Sequence, residues 1–272
     1  MFHNLFDSHT HSENSPDGTH SVTMLADVAV QKGLQGLAIT DHCDCDLYEE
    51  QHFEERVYQS YLDATIAREA FQHRLIITRG IELSQFFHDP AVVRRVLGML
   101  EYDFVLGTIH RMMGWEDFYN IDFKDMSSAR IADMFRLYFS ETMRYIKRGG
   151  FDVLGHMTFP VRYLKLHGGV TVDVGDYREE IDAVLRLLVE TGTGLELNTS
   201  GLRNGLEETL PPAWAITRFA ELGGELVSVG SDAHVAGDLA GGLQEGMEML
   251  LKAGLRYFAF YRRRKPVMLR II

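Results

Sequence analysis

Asp7-Ser8-His9-Thr10-His11 is the stretch from which the rest of the chain is read. In extended backbone the side chains alternate faces, so the imidazoles of His9 and His11 point the same way and can reach one metal ion. Asp7, two residues before His9 on that face, is placed to orient an imidazole by accepting from its outer nitrogen. An isolated pair of this kind carries little weight, because two polar histidines are more often surface residues. Its weight comes from what answers it further along.

Residues 4–9 read as a strand, followed by a polar turn through Pro16-Asp17-Gly18. Ser21 caps a helix whose apolar Leu25, Val28 and Ala29 recur at helical spacing as far as Gly33. Further strands are expected at 36–40, 74–83, 103–109, 151–155, 194–198 and 225–230. Helices separate them at 54–71, 91–100, 128–147 and 212–222, and a last one lies at 242–253. One more helix, capped by Asp173, carries the stripe Ile181, Val184, Leu185 and Leu188 up to Gly192. Residues 111–126 form a loop rich in aromatic and acidic side chains, too long for a bare connector. Strands alternating with helices imply βαβ units and a parallel sheet, and seven or eight such units suggest an α/β barrel.

The length of 272 residues fits one such barrel domain spanning 1–272. With 46% hydrophobic and 24% charged residues the composition is that of an ordinary globular protein, so no segment is set aside as disordered. A net charge of -12 argues against nucleic acid as a partner, since phosphate backbones require clustered positive charge. Arg262-Arg263-Arg264-Lys265 is the exception, and it reads as the solvated part of a terminal strand pair. Cys43 and Cys45 are too close for an easy disulfide and lack a second pair to complete a thiolate zinc site, so both are taken as structural thiols of a reducing compartment. No leader pattern and no membrane-length apolar run is read, which makes the cytoplasm the expected location.

The polar residues then fall into place on this frame. His9 and His11 end the first strand, Asp41 and His42 the second, and Glu82 the third. His110, His156 and Asn198 end the next three, and Asp232 with His234 the seventh. In an α/β barrel that rim is where active sites sit, because parallel strands deliver their ends to one mouth. Five or six histidines with several carboxylates are ligands for borderline divalent ions such as zinc, manganese or iron. They are too many for one ion and imply two or three, with Glu82 the natural bridge between neighbours. No nucleophile elbow, phosphate loop or dinucleotide fingerprint competes with this.

The ordered runs His9-Thr10-His11, Ser15-Pro16-Asp17-Gly18, Ile39-Thr40-Asp41-His42, Gly80-Ile81-Glu82, Gly107-Thr108-Ile109-His110, Gly155-His156 and Gly230-Ser231-Asp232-Ala233-His234 cover essentially the whole chain. In them it resembles the polymerase and histidinol phosphatase (PHP) superfamily, most of all its monofunctional histidinol-phosphate phosphatases. The resemblance implies a distorted (β/α)7 barrel holding three divalent metal ions, zinc, manganese or iron. It implies one ion on His9, His11, Glu82 and Asp232, a second on Glu82, His110 and His156, and a third on Asp17, His42 and His234. Asp17, Asp232 and His234 are implied to take part in catalysis as well. An aspartate at position 17, where some branches of the superfamily have histidine, places the chain with the histidinol phosphatases.

The expected activity is hydrolysis of L-histidinol phosphate to L-histidinol and phosphate, a step of histidine biosynthesis. Direct attack by a metal-activated hydroxide, without a phosphoenzyme, is the expected route. Arg162 and Arg203 follow strand ends and are candidates to clamp the phosphate, the run Asn198-Thr199-Ser200-Gly201-Leu202-Arg203 favouring the second. The loop segment Gly114-Trp115-Glu116-Asp117-Phe118 is the candidate receiver of the amine and imidazole. Two alternatives stay open: a phosphoesterase for another small phosphomonoester or phosphotyrosine, and a metal-binding module without catalysis. His20 is expected behind the ligands, and His3, His52, His73, His88 and His167 at the surface.

Overall fold

Strands buried on both faces, as parallel strands between a helical layer and a filled interior must be, supply the central sheet. The computed structural model describes residues 2–272. Its strands are β1 (Phe6–Asp7), β2 (Gly36–Ile39), β3 (His42–Asp44), β4 (Ile76–Ser84), β5 (Phe104–Thr108), β6 (Val153–Leu154), β7 (Gly194–Asn198) and β8 (Val227–Gly230). All pair in parallel along the order β1-β2-β4-β5-β6-β7-β8, with β3 off that path. The ends of the path meet: Ser8 N donates to Val229 O at 2.9 Å and Asp232 N to His9 O at 2.8 Å. Thr10 bridges Ala233 in parallel. The sheet thus comes round on itself as the expected distorted (β/α)7 barrel.

Strand β4 is the long one and changes partner along its length. Ile76–Arg79 pairs with β2, whereas Glu82–Ser84 pairs with β3, which begins two residues after β2 has stopped. Glu82 is therefore inside a strand, two residues short of its end, and deeper in the barrel than the sequence suggests.

Among the described residues eight α-helices cover the outside: α1 (Val22–Gln31), α2 (Phe53–Phe71), α3 (Pro90–Met99), α4 (Ser128–Arg148), α5 (Pro160–Gly168), α6 (Arg178–Thr191), α7 (Ala213–Glu221) and α8 (Leu243–Lys252). Ser21 caps α1 by accepting from Met24 N, and the helix buries Leu25 and Ala29 as its spacing predicts. Asp173 does not cap α6; it accepts from Gly175 N at 2.7 Å and starts a 3-10 turn, Val174–Tyr177, that leads into the helix. The stripe Ile181, Val184, Leu185 and Leu188 is buried, and Gly192 ends α6 at a φ of 68° that glycine adopts freely. Helix α5 is absent from the sequence expectations because Arg162, Lys165 and His167 dilute its apolar spacing. Only Pro160 at its first turn and Gly169 past its end mark it.

An antiparallel hairpin, β9 (Tyr257–Arg262) with β10 (Lys265–Arg270), closes the N-terminal end of the barrel. Phe260 stacks on Phe6 at 4.6 Å and Tyr261 on Phe104 at 5.1 Å, both at strand starts. The basic run divides: Arg262, Arg263 and Lys265 are exposed, while Arg264 pairs with Asp152 at 2.6 Å and belongs to the fold. Cys43 and Cys45 are free and buried, as expected of structural thiols. Among the described residues no helix is long and apolar enough to cross a membrane. With the lower end stoppered, the C-terminal rim is the open one.

Candidate metal centre

All nine side chains singled out as ligands meet at that rim, and Glu82 is their centre. Its Oε2 lies 3.3 Å from His9 Nε2, 3.4 Å from His11 Nε2 and 2.8 Å from His42 Nδ1. Its Oε1 lies 3.1 Å from His110 Nε2 and 2.9 Å from His156 Nε2. Asp232 Oδ1 stands 3.7 and 3.6 Å from the Nε2 atoms of His9 and His11. Asp17, 59% exposed where Glu82 is wholly buried, places its oxygens 3.6 Å from His42 Nε2 and 3.2 Å from His234 Nε2.

The donor set can be tested for fit to cations. Ligand atoms around one tetrahedral zinc stand about 3.3 Å apart. That matches the spacing within the His9, His11, Glu82 and Asp232 set and within the Asp17, His42 and His234 set. The outer nitrogens are committed elsewhere. His234 Nδ1 faces the carbonyl of Asp232 at 3.1 Å, an acceptor only, so it must donate. Ser15 Oγ donates to Asp41 and therefore accepts from His11 Nδ1 at 3.0 Å. His110 Nδ1 faces Asp44 at 3.1 Å. Each of these rings, when neutral, turns an unshared pair toward the cluster, which is what a divalent ion requires.

The electrostatics say the same. Burial pushes the Glu82 carboxyl up, yet His42, His9 and His110 hold it well below the ordinary range. Burial likewise opposes ionisation of Asp232, and His9, His11 and Arg162 overcome it. Burial draws His110 down, but Glu82 and Asp44 carry it to about 10. Burial, His234 and His42 together push His11 well below its usual value. Two anionic carboxylates among imidazoles competing for protons form a site that calls for positive charge.

Several residues act in ways the sequence did not announce. Asp7 touches no imidazole; it accepts from Ser231 N, Ser231 Oγ and Ala240 N and ties the ends of β1 and β8 together. The carboxylate beside His9 is instead Glu196 on β7, at 2.7 Å. Asp41 points away from the cluster and collects Ser12, Ser15 and Ser60. Asn198 does not reach it either, its Oδ1 being taken by Ser200. His20 accepts from the backbone N–H of Ala236, two residues past His234, at 3.2 Å. His3, His52 and His73 are exposed, and His88 and His167 half-buried. Glu196, in the middle of β7, and Asp44, at the end of β3, carried no signal beyond being acidic.

A cavity of about 450 Å³ opens above the cluster. Phe159 just before α5, Arg162 and Tyr163 within it, and Asp117, Tyr119 and Asn120 from the 111–126 loop form its walls. Arg162 Nη1 stands 3.2 Å from Asp232 Oδ2. Arg203 lies outside the lining, donating to the Asp232 carbonyl at 3.0 Å and pairing with Asp238 at 3.2 Å. Of the loop segment 114–118, Asp117 faces the cavity and Phe118 is buried beneath it against Phe159. Burial pushes the Asp117 carboxyl up, against the pull of His110.

Comparison with known proteins adds three findings. Residues 7–200 match the family model described as PHP domain. A protein named probable histidinol-phosphatase from Deinococcus radiodurans is 26% identical over 264 residues, covering 96% of this chain and 98% of that one. Among solved structures, that of histidinol phosphate phosphatase from Lactococcus lactis, complexed with zinc, L-histidinol and phosphate, matches with a TM-score of 0.79 at 20% identity. The match covers 96% of this chain and 98% of that one.

Proposed function

The chain belongs to the PHP domain family, and we propose that within it the protein is a metal-dependent phosphatase hydrolysing L-histidinol phosphate to L-histidinol and phosphate. We propose further that residues 1–272 work as one barrel domain. The observation that carries the activity is the convergence of nine ligand-type side chains on one buried carboxylate, beneath an open cavity with an arginine in its wall.

His9, His11, Glu82 and Asp232 would hold one ion, Glu82, His110 and His156 a second, and Asp17, His42 and His234 a third. Such imidazole-rich sets suit zinc, manganese or iron. The ions, when bound, supply charge neutralisation for the phosphoryl oxygens and a nucleophilic hydroxide at neutral pH. The chain's own residues do the rest. Arg162, whose guanidinium already stands beside Asp232, offers its fork to the phosphate. Asp17, Asp232 and His234 line the cavity; a carboxylate oxygen of Asp17 or Asp232 would take up and return the protons of the reaction, and His234, its Nδ1 donating to the Asp232 carbonyl, would take part by holding its ion. Asp44 and Asp117 suit an ammonium group, and the rings of Tyr119 and Tyr163 offer faces to an imidazole. The names of the relatives and the ligands of the Lactococcus lactis structure favour histidinol as the leaving alcohol.

A panel of phosphomonoesters, assayed by phosphate release from protein loaded with manganese or zinc, tests this. Histidinol phosphate is expected to exceed phosphotyrosine and simple sugar phosphates in kcat/KM by at least about tenfold, the discrimination that one or two good polar contacts provide. Equal turnover of phosphotyrosine would move the assignment to a broader phosphoesterase. Inertness toward every ester with all metals in place would leave a binding module. Within the same assay, Arg162→Ala is expected to lower kcat/KM by about 10²-fold to 10³-fold, the range seen when one donor to a developing oxyanion is removed. Arg162→Lys should recover part of the binding through its charge but not the forked geometry.

A further inference from the structure

We infer that Glu196 is the positioning residue for the two ion sites that share Glu82, fixing the tautomer of His9 and the backbone of His156 at once. This rests on the metal-centre assignment above. Glu196 is wholly buried on β7 and touches neither the cavity nor the other carboxylates. One oxygen, Oε1, lies 2.7 Å from His9 Nδ1. The other, Oε2, accepts from the His156 backbone N–H at 2.7 Å and from Asn198 Nδ2 at 3.3 Å. A carboxylate only accepts, so His9 donates from Nδ1 and keeps an unshared pair on Nε2. That pair is the one directed at His11 and Glu82, 3.0 and 3.3 Å away.

The second contact bears on backbone. His156 has a φ of 22°, a conformation that side-chain-bearing residues hold only when their surroundings impose it. The bond from its N–H to Glu196 is such an imposition. Its ring can then reach Glu82 at 2.9 Å. Room for the pair is made at Gly230, where a Cβ would lie 2.4 Å from His9 Cβ and 2.6 Å from Glu196 Oε1. At Gly155 a Cβ would first meet Thr108 Cγ2 at 2.6 Å, with Glu196 Oε2 at 3.3 Å, so that glycine serves the packing of β5 and β6. The glycine of Gly230-Ser231-Asp232 thus leaves space for His9 and its carboxylate together.

The network also dictates how a glutamine would sit. Asn198 is locked with its amide nitrogen toward Glu196, because Ser200 N and Oγ both donate to its Oδ1, at 3.0 and 2.6 Å. The Oε2 position therefore faces two donors and must remain oxygen. In Glu196→Gln the amide nitrogen falls at Oε1 and donates to His9 Nδ1, which moves the ring proton to Nε2, where an ion would bind.

The experiment is metal analysis of full-length protein reconstituted with zinc and dialysed. Wild type is expected to retain three equivalents and Glu196→Gln two, with zinc affinity at the site that contains His9 lowered by about 10-fold to 100-fold. The metal-free variant should keep the circular dichroism and melting curve of metal-free wild type. A residue that merely fills space would show the reverse, with the isosteric glutamine harmless and Glu196→Ala damaging. Three equivalents bound by Glu196→Gln with unchanged affinity would overturn the assignment while leaving the metal centre standing. No zinc uptake by wild type would bring down both. Should the variant fold poorly, long-range nitrogen NMR of the His9 ring in metal-free wild type, at a pH where it is neutral, decides the matter. The Nδ1–H tautomer is expected, and Nε2–H would refute the inference.

Discussion

Glu82→Gln is expected to lower kcat by about 10³-fold or more, since the charge stabilisation supplied by bound metals amounts to several kcal/mol and each 1.36 kcal/mol is a factor of ten. Five imidazole nitrogens lie within 3.4 Å of its two oxygens, more partners than any other residue of the cluster has. A glutamine of the same shape replaces one oxygen by a donor, which must then face unshared pairs on at least two of those rings. It also removes the negative charge that balances two neighbouring cations. Loss of metal should accompany loss of rate: fewer than three equivalents are expected by elemental analysis, with the sets that contain Glu82 affected and the Asp17, His42 and His234 set least. His42 is the exception to a clean division, because its Nδ1 stands 2.8 Å from Glu82 while its Nε2 faces Asp17. A variant that kept three ions and turned over within tenfold of wild type would show Glu82 to be a buried structural anion only.

The side chains that sit at strand ends were legible because barrel strands bring distant motifs to one level, so spacing in sequence became proximity in space. His9, His110, His156 and Asp232 could be read this way without knowing any contact. What could not be read lies one layer out. Asp7 and Glu196 are both acidic and buried on strands of the barrel, yet one ties β1 to β8 and the other holds His9. Which of the two does which depends on the relative stagger of β1, β8 and β7, which brings His9 to Glu196 across 187 residues although β1 and β7 do not pair, and local pattern carries no information about that stagger. Helix α5 failed for a related reason. Its polar face is the wall of the cavity, so Arg162 and Tyr163 are there for the site and weaken the very periodicity by which a helix is recognised. Strand β3 is three residues long and begins just after β2, too short for alternation to register. Arg162 lines the cavity and Arg203 stands behind Asp232, an ordering that depends on where α5 runs.

Removing the ions altogether is expected to abolish turnover and to loosen one particular seam of the barrel. The strands that close the sheet, β1 and β8, are joined by few backbone bonds, among them Ser8 to Val229 and Asp232 to His9. The ligands flank that seam: His9 and His11 follow β1, Asp232 and His234 follow β8, and Asp232 Oδ1 stands within 3.7 Å of both Nε2 atoms. An ion among them is a cross-link at the weakest closure. Each ion present at 1,000 times its dissociation constant contributes about 4 kcal/mol to the folded state. At roughly 2–4 °C per kcal/mol for a chain of this size, chelation is expected to lower the melting temperature by about 10 °C or more. Hydrogen exchange should quicken first at the amides of His11, Thr19 and Asp232, which bond across the seam. The β9–β10 hairpin, held by Asp103 and Asp152 at the other end, should exchange as before. Zinc, manganese or iron should restore both stability and activity, whereas magnesium or calcium, which prefer all-oxygen sets, should not. Metal and proton compete for the same nitrogens, so the apparent affinity should fall as pH is lowered and the chelator's effect should grow in the same direction. Unchanged melting and unchanged turnover in protein verified to be metal-free would contradict both the cross-link and the chemistry assigned to it.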